Sequence, residues 1–274
     1  MLLFNGQLHS DTGFALPLPN RGLFFNDGFF ETMVWAAGTV RYLPYHLARM
    51  QQAAAVLGLT LPAALATAEA LKVTLGGLIA AQTSFSAEYR VRLQLWRSGG
   101  GLYAPETDAA EWLATSQPFQ PHDTPITSCG FAETVRTQLS AVSFCKGPNA
   151  LTYVLAARER QQRGLDELLL LDAAGHVAEG VAAAVFWVRD GQLFTPALET
   201  GCVAGVRRAH LLQVARQLGL PAQQVQCHPD ELQQAETVFT ANVAGIRVVQ
   251  QLGTSRYSSA HPLLQHLLQA ERWH

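Results

Sequence analysis

Apolar and polar side chains alternate most cleanly in YRVRLQLW, residues 89–96, where Tyr89, Val91, Leu93 and Leu95 share one face and Arg90, Arg92, Gln94 and Trp96 the other. A period of two matches the pleat of a strand with one buried face. Residues 2–5 read as a shorter strand, and residues 28–35 and 40–43, joined across Gly38-Thr39, as a hairpin. The period then changes. From Pro44 the run YHLARMQQAAAVLGL puts Leu47, Met50, Ala54 and Leu57 on one helical stripe that stops at Gly58, and residues 62–81 continue as a second helical segment. Gly99-Gly100-Gly101 is a loop, and residues 111–116 are a further strand candidate.

The stretch QPFQPHDTP, residues 117–125, holds three prolines and reads as a linker. Beyond it, strands are expected at 126–132, 167–172, 183–188 and 237–241, alternating with helices at 149–163, 206–219 and 262–272. The expected organisation is therefore two α/β or α+β lobes: a small N-terminal domain, 1–116, the linker, and a larger C-terminal domain, 126–274, with a cleft between the lobes as the usual place for a small ligand.

Composition narrows the partners. A 274-residue chain with 49% hydrophobic and 15% charged residues has material for a large core. A net charge of -2 and a pI near 6.5 supply neither a basic footprint for nucleic acid nor a polybasic patch for a membrane, so a small molecule is the expected partner. The longest apolar stretch, 53–81, is interrupted by Pro62, Glu69 and Lys72, and the N-terminus has no charged and apolar leader pattern. A cytoplasmic protein is expected. Cys129, Cys145, Cys202 and Cys227 form no C-x-x-C pair and the nine histidines are dispersed, so no metal is assigned.

Of 19 basic residues only Lys72 and Lys146 are lysines, leaving 17 arginines. A guanidinium stays protonated and cannot form a Schiff base with a carbonyl, so any catalytic amine is one of these two. Lys146 lies in SFCKGPNALTYVLAA, between an apolar segment and a helix, with Gly147-Pro148 turning the chain behind it. Partial burial would lower its pKa from about 10.4 toward the range where the amine attacks an aldehyde; position alone fits a solvated loop lysine equally well. Glu179, among small apolar residues, needs a partner, which could be a protonated pyridine nitrogen or one of the arginines. Val206 and Arg207 open a helix whose first-turn N–H groups suit a phosphate, or are an ordinary helix start. Arg49 could reach the same phosphate bidentately, or stay exposed.

Taken together these segments resemble the fold type IV enzymes of pyridoxal 5′-phosphate (PLP), the class IV aminotransferase family, which includes branched-chain and D-amino acid aminotransferases and aminodeoxychorismate lyase. RGLFFNDGFFET, HLARMQQAAAVLGL, KGPNALTYVLAARERQQRGLDELLLLDAAGHVAEG, LFTPALETGCVAGVRR and ETVFTANVAGIRVV follow the family order from Arg21 to the C-terminus. The resemblance implies a Schiff-base lysine at Lys146, the pyridine-nitrogen ligand at Glu179, a phosphate-binding arginine at Arg49, backbone donors at Val206 and Arg207, and a last phosphate-binding turn at Asn242 and Val243. The chain departs from the family pattern at Phe25-Asn26, Ala150, Ala184, Arg207 and the turn Asn242 to Ile246, which is one residue short. Lost hydroxyls and amides at these places leave the substrate class open.

The activity so implied is transamination between an amino acid and a 2-keto acid, with the Lys146 amine moving the proton and Glu179 keeping the ring an electron sink. The alternatives are elimination of pyruvate from aminodeoxychorismate to give 4-aminobenzoate, and a noncatalytic PLP-binding protein. A substrate carboxylate needs a cation, and Arg90, Arg92 and Arg97 are the candidates, against the plainer reading of a solvated strand face. The resemblance also implies a homodimer whose partner loop, residues 98–104, closes each site.

Overall fold

The structure is a computed structural model that describes residues 1–83 and 85–271. Its chain forms two compact units, one of Met1–Gln120 joined by Cys145–Pro148, the other of Pro121–Phe144 and the residues from Asn149 onward. The segment carrying Lys146 thus packs with the first unit, whereas a boundary drawn at residue 126 groups it with the second. The proline-rich stretch is tied down within each unit rather than loose. Phe119 N–H bonds Glu88 O at 3.0 Å in the first, and His122 N–H bonds Ala244 O at 2.9 Å in the second.

The first unit is built on a six-stranded antiparallel sheet in the order Gln7–His9, Leu2–Phe4, Ala110–Pro118, Glu88–Arg97, Gly28–Ala36, Thr39–Val40. Alternation in Glu88–Arg97 is as expected from Tyr89 to Leu95: Val91, Leu93 and Leu95 are buried while Arg90 and Arg92 are exposed. It fails at the end of the strand, where Trp96 and Arg97 are both buried. Leu71, Leu75 and Leu78 of the helix Ala68–Ala80, with Met50, Ala53 and Ala54 of Leu43–Leu57, are buried in the same unit. The segment 62–81 is not one helix. A single 3-10 turn, Ala63–Leu65, precedes a fresh start at Ala68, where Thr67 caps by accepting from Ala70 N–H at 3.2 Å. Gly28 allows a close approach of its strand to the next, since a Cβ there would lie 2.1 Å from Leu95 O.

The second unit stacks four layers. One five-stranded sheet runs Ala222–Val225, Gln192–Pro196, Ala184–Arg189, Thr237–Asn242, Gly245–Val249; the other runs Ser255–Arg256, Gln251–Leu252, Cys129–Thr137, Glu167–Asp172, Val177–Gly180. Ile126, Leu169, Val185, Trp187, Val238 and Val249 fill the space between the sheets. The helices Val206–Gln217 and Pro262–Ala270 cover the outer face of the first through Phe186, Leu211, Phe239 and Leu264, and Ala150–Gln162 covers the second through Ala156, Leu168 and Leu170. ELLLLD is apolar throughout because it is buried on both faces. Sequence reading omitted the strands at 177–180, 192–196, 222–225 and 245–249, each of four or five residues and too short to display a period. Of the expected helix 262–272, Arg272 lies outside the described residues. No helix among the described residues is long and apolar enough to cross a membrane.

A buried charge network crosses the core of the first unit. Glu31, 1% exposed on the inward face of Gly28–Ala36, accepts from Arg49 Nε at 2.8 Å and Nη2 at 2.6 Å, and shares a 2.6 Å hydrogen bond with His46 Nδ1. His46 and Arg49 lie three residues apart on Leu43–Leu57 and so face the same way. Burial pushes the Glu31 carboxyl up, but the Arg49 charge and the His46 hydrogen bond together hold it at about 2. Burial also pushes His46 below its ordinary value, against the pull of Glu31 and with the charges of Arg49 and Lys146 adding to the push.

Glu31→Gln will lower the unfolding free energy by about 3 kcal/mol, because it strands a buried guanidinium; urea denaturation measures this. Both depressed values place the stability loss on the acid side. Stability will fall below pH 6.5 as unfolded His46 takes up a proton the folded ring refuses, and again from pH 4.5 toward 2 as Glu31 protonates on unfolding. In Glu31→Gln the second phase will be reduced in a pH series of the same denaturation curves.

Candidate active site

Lys146 is positioned by its backbone. Its carbonyl accepts from Phe30 N–H at 2.9 Å, and the next carbonyl, of Gly147, accepts from Asn26 Nδ2 at 2.9 Å. Gly147 has φ +129, and a Cβ there would stand 3.0 Å from Phe29 Cα, so the turn behind the lysine requires glycine. Asn26, itself left-handed at φ 53, ends the short helix Arg21–Phe25 and turns its amide onto this segment. The charge of Lys146 is felt at His46, which connects the amine electrostatically to the Glu31–Arg49 network.

Arg49 is buried, not exposed, and the Nε–Nη2 edge of its guanidinium is taken by Glu31. His46 Nε2 is buried and has no hydrogen-bond partner among the described residues.

The three candidate carboxylate-binding arginines separate into two kinds. Arg90 and Arg92 share the exposed sheet face, and neither pairs with a carboxylate among the described residues. Arg92 lies with its guanidinium carbon 3.8 Å from the centroid of the Phe30 ring and donates to Gln94 Oε1 at 3.1 Å. Phe30 thus carries Arg92 on its ring and Lys146 on its backbone. Arg97, by contrast, is held within the protein as a clamp. Its nitrogens donate to Asp27 at 3.0 Å, to Asp108 at 2.8 Å and to the carbonyls of Gly58, Thr107 and Leu57, which leaves it 4% exposed and engaged on every side.

In the second unit Glu179 sits on Val177–Gly180, 4% exposed. Its Oε1 accepts from Tyr153 Oη at 2.7 Å and from Val203 N–H at 3.0 Å. Arg208, 5% exposed, donates to Pro196 O and Gln224 Oε1, and its charge is felt together with that of Glu179. Burial pushes the Cys202 thiol up to about 11, with the Glu179 charge adding to the push. A polar cavity in this unit is lined by Tyr153, Asn149, Thr152, Arg136 and Gln138.

Val206 and Arg207 are the first two residues of Val206–Gln217, behind Gly205. The side chain of Arg207 grips Glu271 at 2.8 and 2.6 Å and Asn242 O at 3.1 Å, so any phosphate contact there falls to the backbone. Asn242 builds its own turn: Oδ1 accepts from Ala244 N–H at 2.8 Å and Gly245 N–H at 3.2 Å. Val243, at 9% exposure, sits within that turn.

Sequence reasoning missed Glu31, His46, Asn26 and Tyr153. For His46 a signal existed, a histidine one turn from an arginine; Glu31 stands in a strand that is buried along nearly its whole length and shows no alternation. For Tyr153, 26 residues from Glu179, no local spacing could show the contact.

The sequence model for class IV amino-transferases matches residues 28–252. In sequence the chain is 27% identical to an aminodeoxychorismate lyase of Bacillus subtilis over 223 residues, 80% of this chain and 75% of that protein. It is 36% identical to a probable branched-chain-amino-acid aminotransferase of Synechocystis over 94 residues, 34% of this chain and 31% of that one. Among solved structures, the 4-amino-4-deoxychorismate lyase of Pseudomonas aeruginosa matches with a TM-score of 0.84 at 29% identity, covering 98% of this chain and 97% of that one. A branched-chain aminotransferase of Thermoproteus uzoniensis matches in fold, with a TM-score of 0.87 at 23% identity over 98% and 92%. The fold is that of the fold type IV PLP enzymes, and the chain belongs to the class IV amino-transferases, whose cofactor is pyridoxal 5′-phosphate.

Proposed function

We propose that this protein is an aminodeoxychorismate lyase, releasing pyruvate from its substrate to leave 4-aminobenzoate. The observation that carries this reading is the extent of the likeness. The lyase relatives match along most of both chains at 27% and 29% identity, while the aminotransferase sequence matches span about a third of the chain.

The residues present fit the cofactor. Lys146 would join its aldehyde carbon, Glu179 would face its ring nitrogen, and the phosphate would take N–H groups from Val206, Arg207 and Val243, with the turn shaped by Asn242, and the charge of Arg49 as the family resemblance implies. Bound there, the cofactor supplies an electron sink. The Lys146 amine takes the proton from the amino-bearing ring carbon and is positioned for it by Phe30 N–H and by Asn26 through Gly147. The substrate carries two carboxylates. Arg90 and Arg92, about 7 Å apart along one strand face and lacking acidic partners among the described residues, suit such a dianion better than a single carboxylate.

A second reading, transamination, draws on the 36% identity to the Synechocystis protein over 94 residues. A coupled assay separates the two. Loaded protein given aminodeoxychorismate and no keto acid will release pyruvate and fluorescent 4-aminobenzoate in equal amounts, and amino exchange that requires a keto acid, without pyruvate, overturns the lyase. Lys146→Ala will lower the rate by 10³-fold or more. Arg92→Gln will raise KM about tenfold or more with a smaller effect on kcat, the loss of one charged hydrogen bond. Arg97→Lys will instead lower thermal stability and leave KM within about twofold, since a lysine cannot span that clamp.

A further inference from the structure

Resting on the reading of Glu179 as the partner of the ring nitrogen, we propose that Tyr153 is a positioning residue: its phenol fixes the Glu179 carboxyl and keeps it in the anionic form. A carboxylate 4% exposed has lost its water, and without donors it favours the neutral acid. A neutral acid cannot hold a proton on the pyridine nitrogen by charge. Glu179 therefore needs donors of its own from the protein, and two meet Oε1, Tyr153 Oη at 2.7 Å and Val203 N–H at 3.0 Å.

The two donors differ in kind. Val203 N–H is fixed by the chain, whereas the phenol is a side-chain choice, set on the helix Ala150–Gln162 that begins just beyond Lys146. Tyr153 is suited to donate rather than ionise, since burial and then the adjacent Glu179 charge push its hydroxyl well above the ordinary phenol value. Among the described residues, Cys202 feels the charges of both Glu179 and Arg208, and Arg208 in turn those of Cys202, Glu179 and Glu199. Arg208 is directed to Pro196 O and Gln224, and the Cys202 thiol is pushed up to about 11 and stays neutral at working pH. Tyr153 is thus an adjustable donor to Glu179. With both donors on one oxygen, the plane of the carboxyl is set as well as its charge.

The test uses the apoprotein first. The Glu179 carboxyl is followed by ¹³C NMR in protein labelled at glutamate Cδ, its signal identified by its loss in Glu179→Gln. In Tyr153→Phe, which keeps the ring and removes only the donor, the titration midpoint will rise by about one pH unit, a tenfold gain in proton affinity. Replacing tyrosine by 3-fluorotyrosine, a stronger donor, will lower the midpoint, and will not do so in a Tyr153→Phe background. A midpoint unmoved by either change overturns the proposal. The second measurement is the ¹⁵N shift of the ring nitrogen in protein loaded with ¹⁵N-labelled PLP. Tyr153→Phe will move it toward the unprotonated value. If Glu179→Gln leaves that shift unchanged, the reading of Glu179 itself fails; if Glu179→Gln moves it and Tyr153→Phe does not, the role of Tyr153 alone fails.

Discussion

A carboxylate can stay charged inside a protein only where hydrogen-bond donors replace the water it has given up, and that constraint shapes both units of this chain. In the first, Glu31 is met by a bidentate arginine and a histidine, so a strand buried along nearly its whole length carries a charge. In the second, Glu179 is met by a phenol and a backbone N–H. Glu159 follows the same rule on the buried side of its helix, where the N–H groups of Glu133 and Thr134 and the Thr134 hydroxyl converge on it. In each case a carboxylate from one element is anchored by a neighbouring element, so the polar contacts reinforce the register that the apolar core sets.

Much of this was legible in the residues. The half-buried strand at 89–95 announced itself because its pleat was written in side-chain polarity, and Lys146 stood out because a chain so rich in arginine has one other lysine. Other features had no local expression. Thr67 restarts a helix inside an apolar stretch whose composition reads as continuous. Arg97 breaks the alternation of its strand because Asp27 and Asp108, far from it in sequence, turn it inward. Tyr153 and Glu179 meet only because a helix covers the outer face of a sheet. Periodicity reports which face is buried; it cannot report which buried polar groups find one another.

Two of the positions where the chain leaves its family pattern have structural answers. Asn26 adopts the left-handed conformation and uses its amide to hold the Gly147 carbonyl. At Arg207 a long cation is drawn away to Glu271 and Asn242 O, which keeps the helix start itself unobstructed while tying the C-terminal residues to it. At these two positions the side chain exchanges freedom for hydrogen bonds within the protein, fastening one segment to another.

That exchange bears on specificity. Interactions common to every member of a cofactor-dependent family hold the cofactor, whereas discrimination among substrates falls to side chains whose donors are not already satisfied within the protein. Most arginines near the candidate site fail that condition: Arg49 is turned to Glu31, Arg97 to two aspartates, Arg207 to Glu271 and Arg208 to Pro196 O and Gln224. Arg90 and Arg92 are different in kind. They stand on an exposed face beside Phe30, and burial together with the charge of Arg90 pushes the Arg92 guanidinium below its ordinary value, the mark of a positive pair not neutralised from within. Two like charges about 7 Å apart on a strand repel, and an anion bound between them would relieve that repulsion. The proposed substrate, with two carboxylates, is an anion of that kind, which ties the choice of these two arginines to the reading that the lyase relatives support.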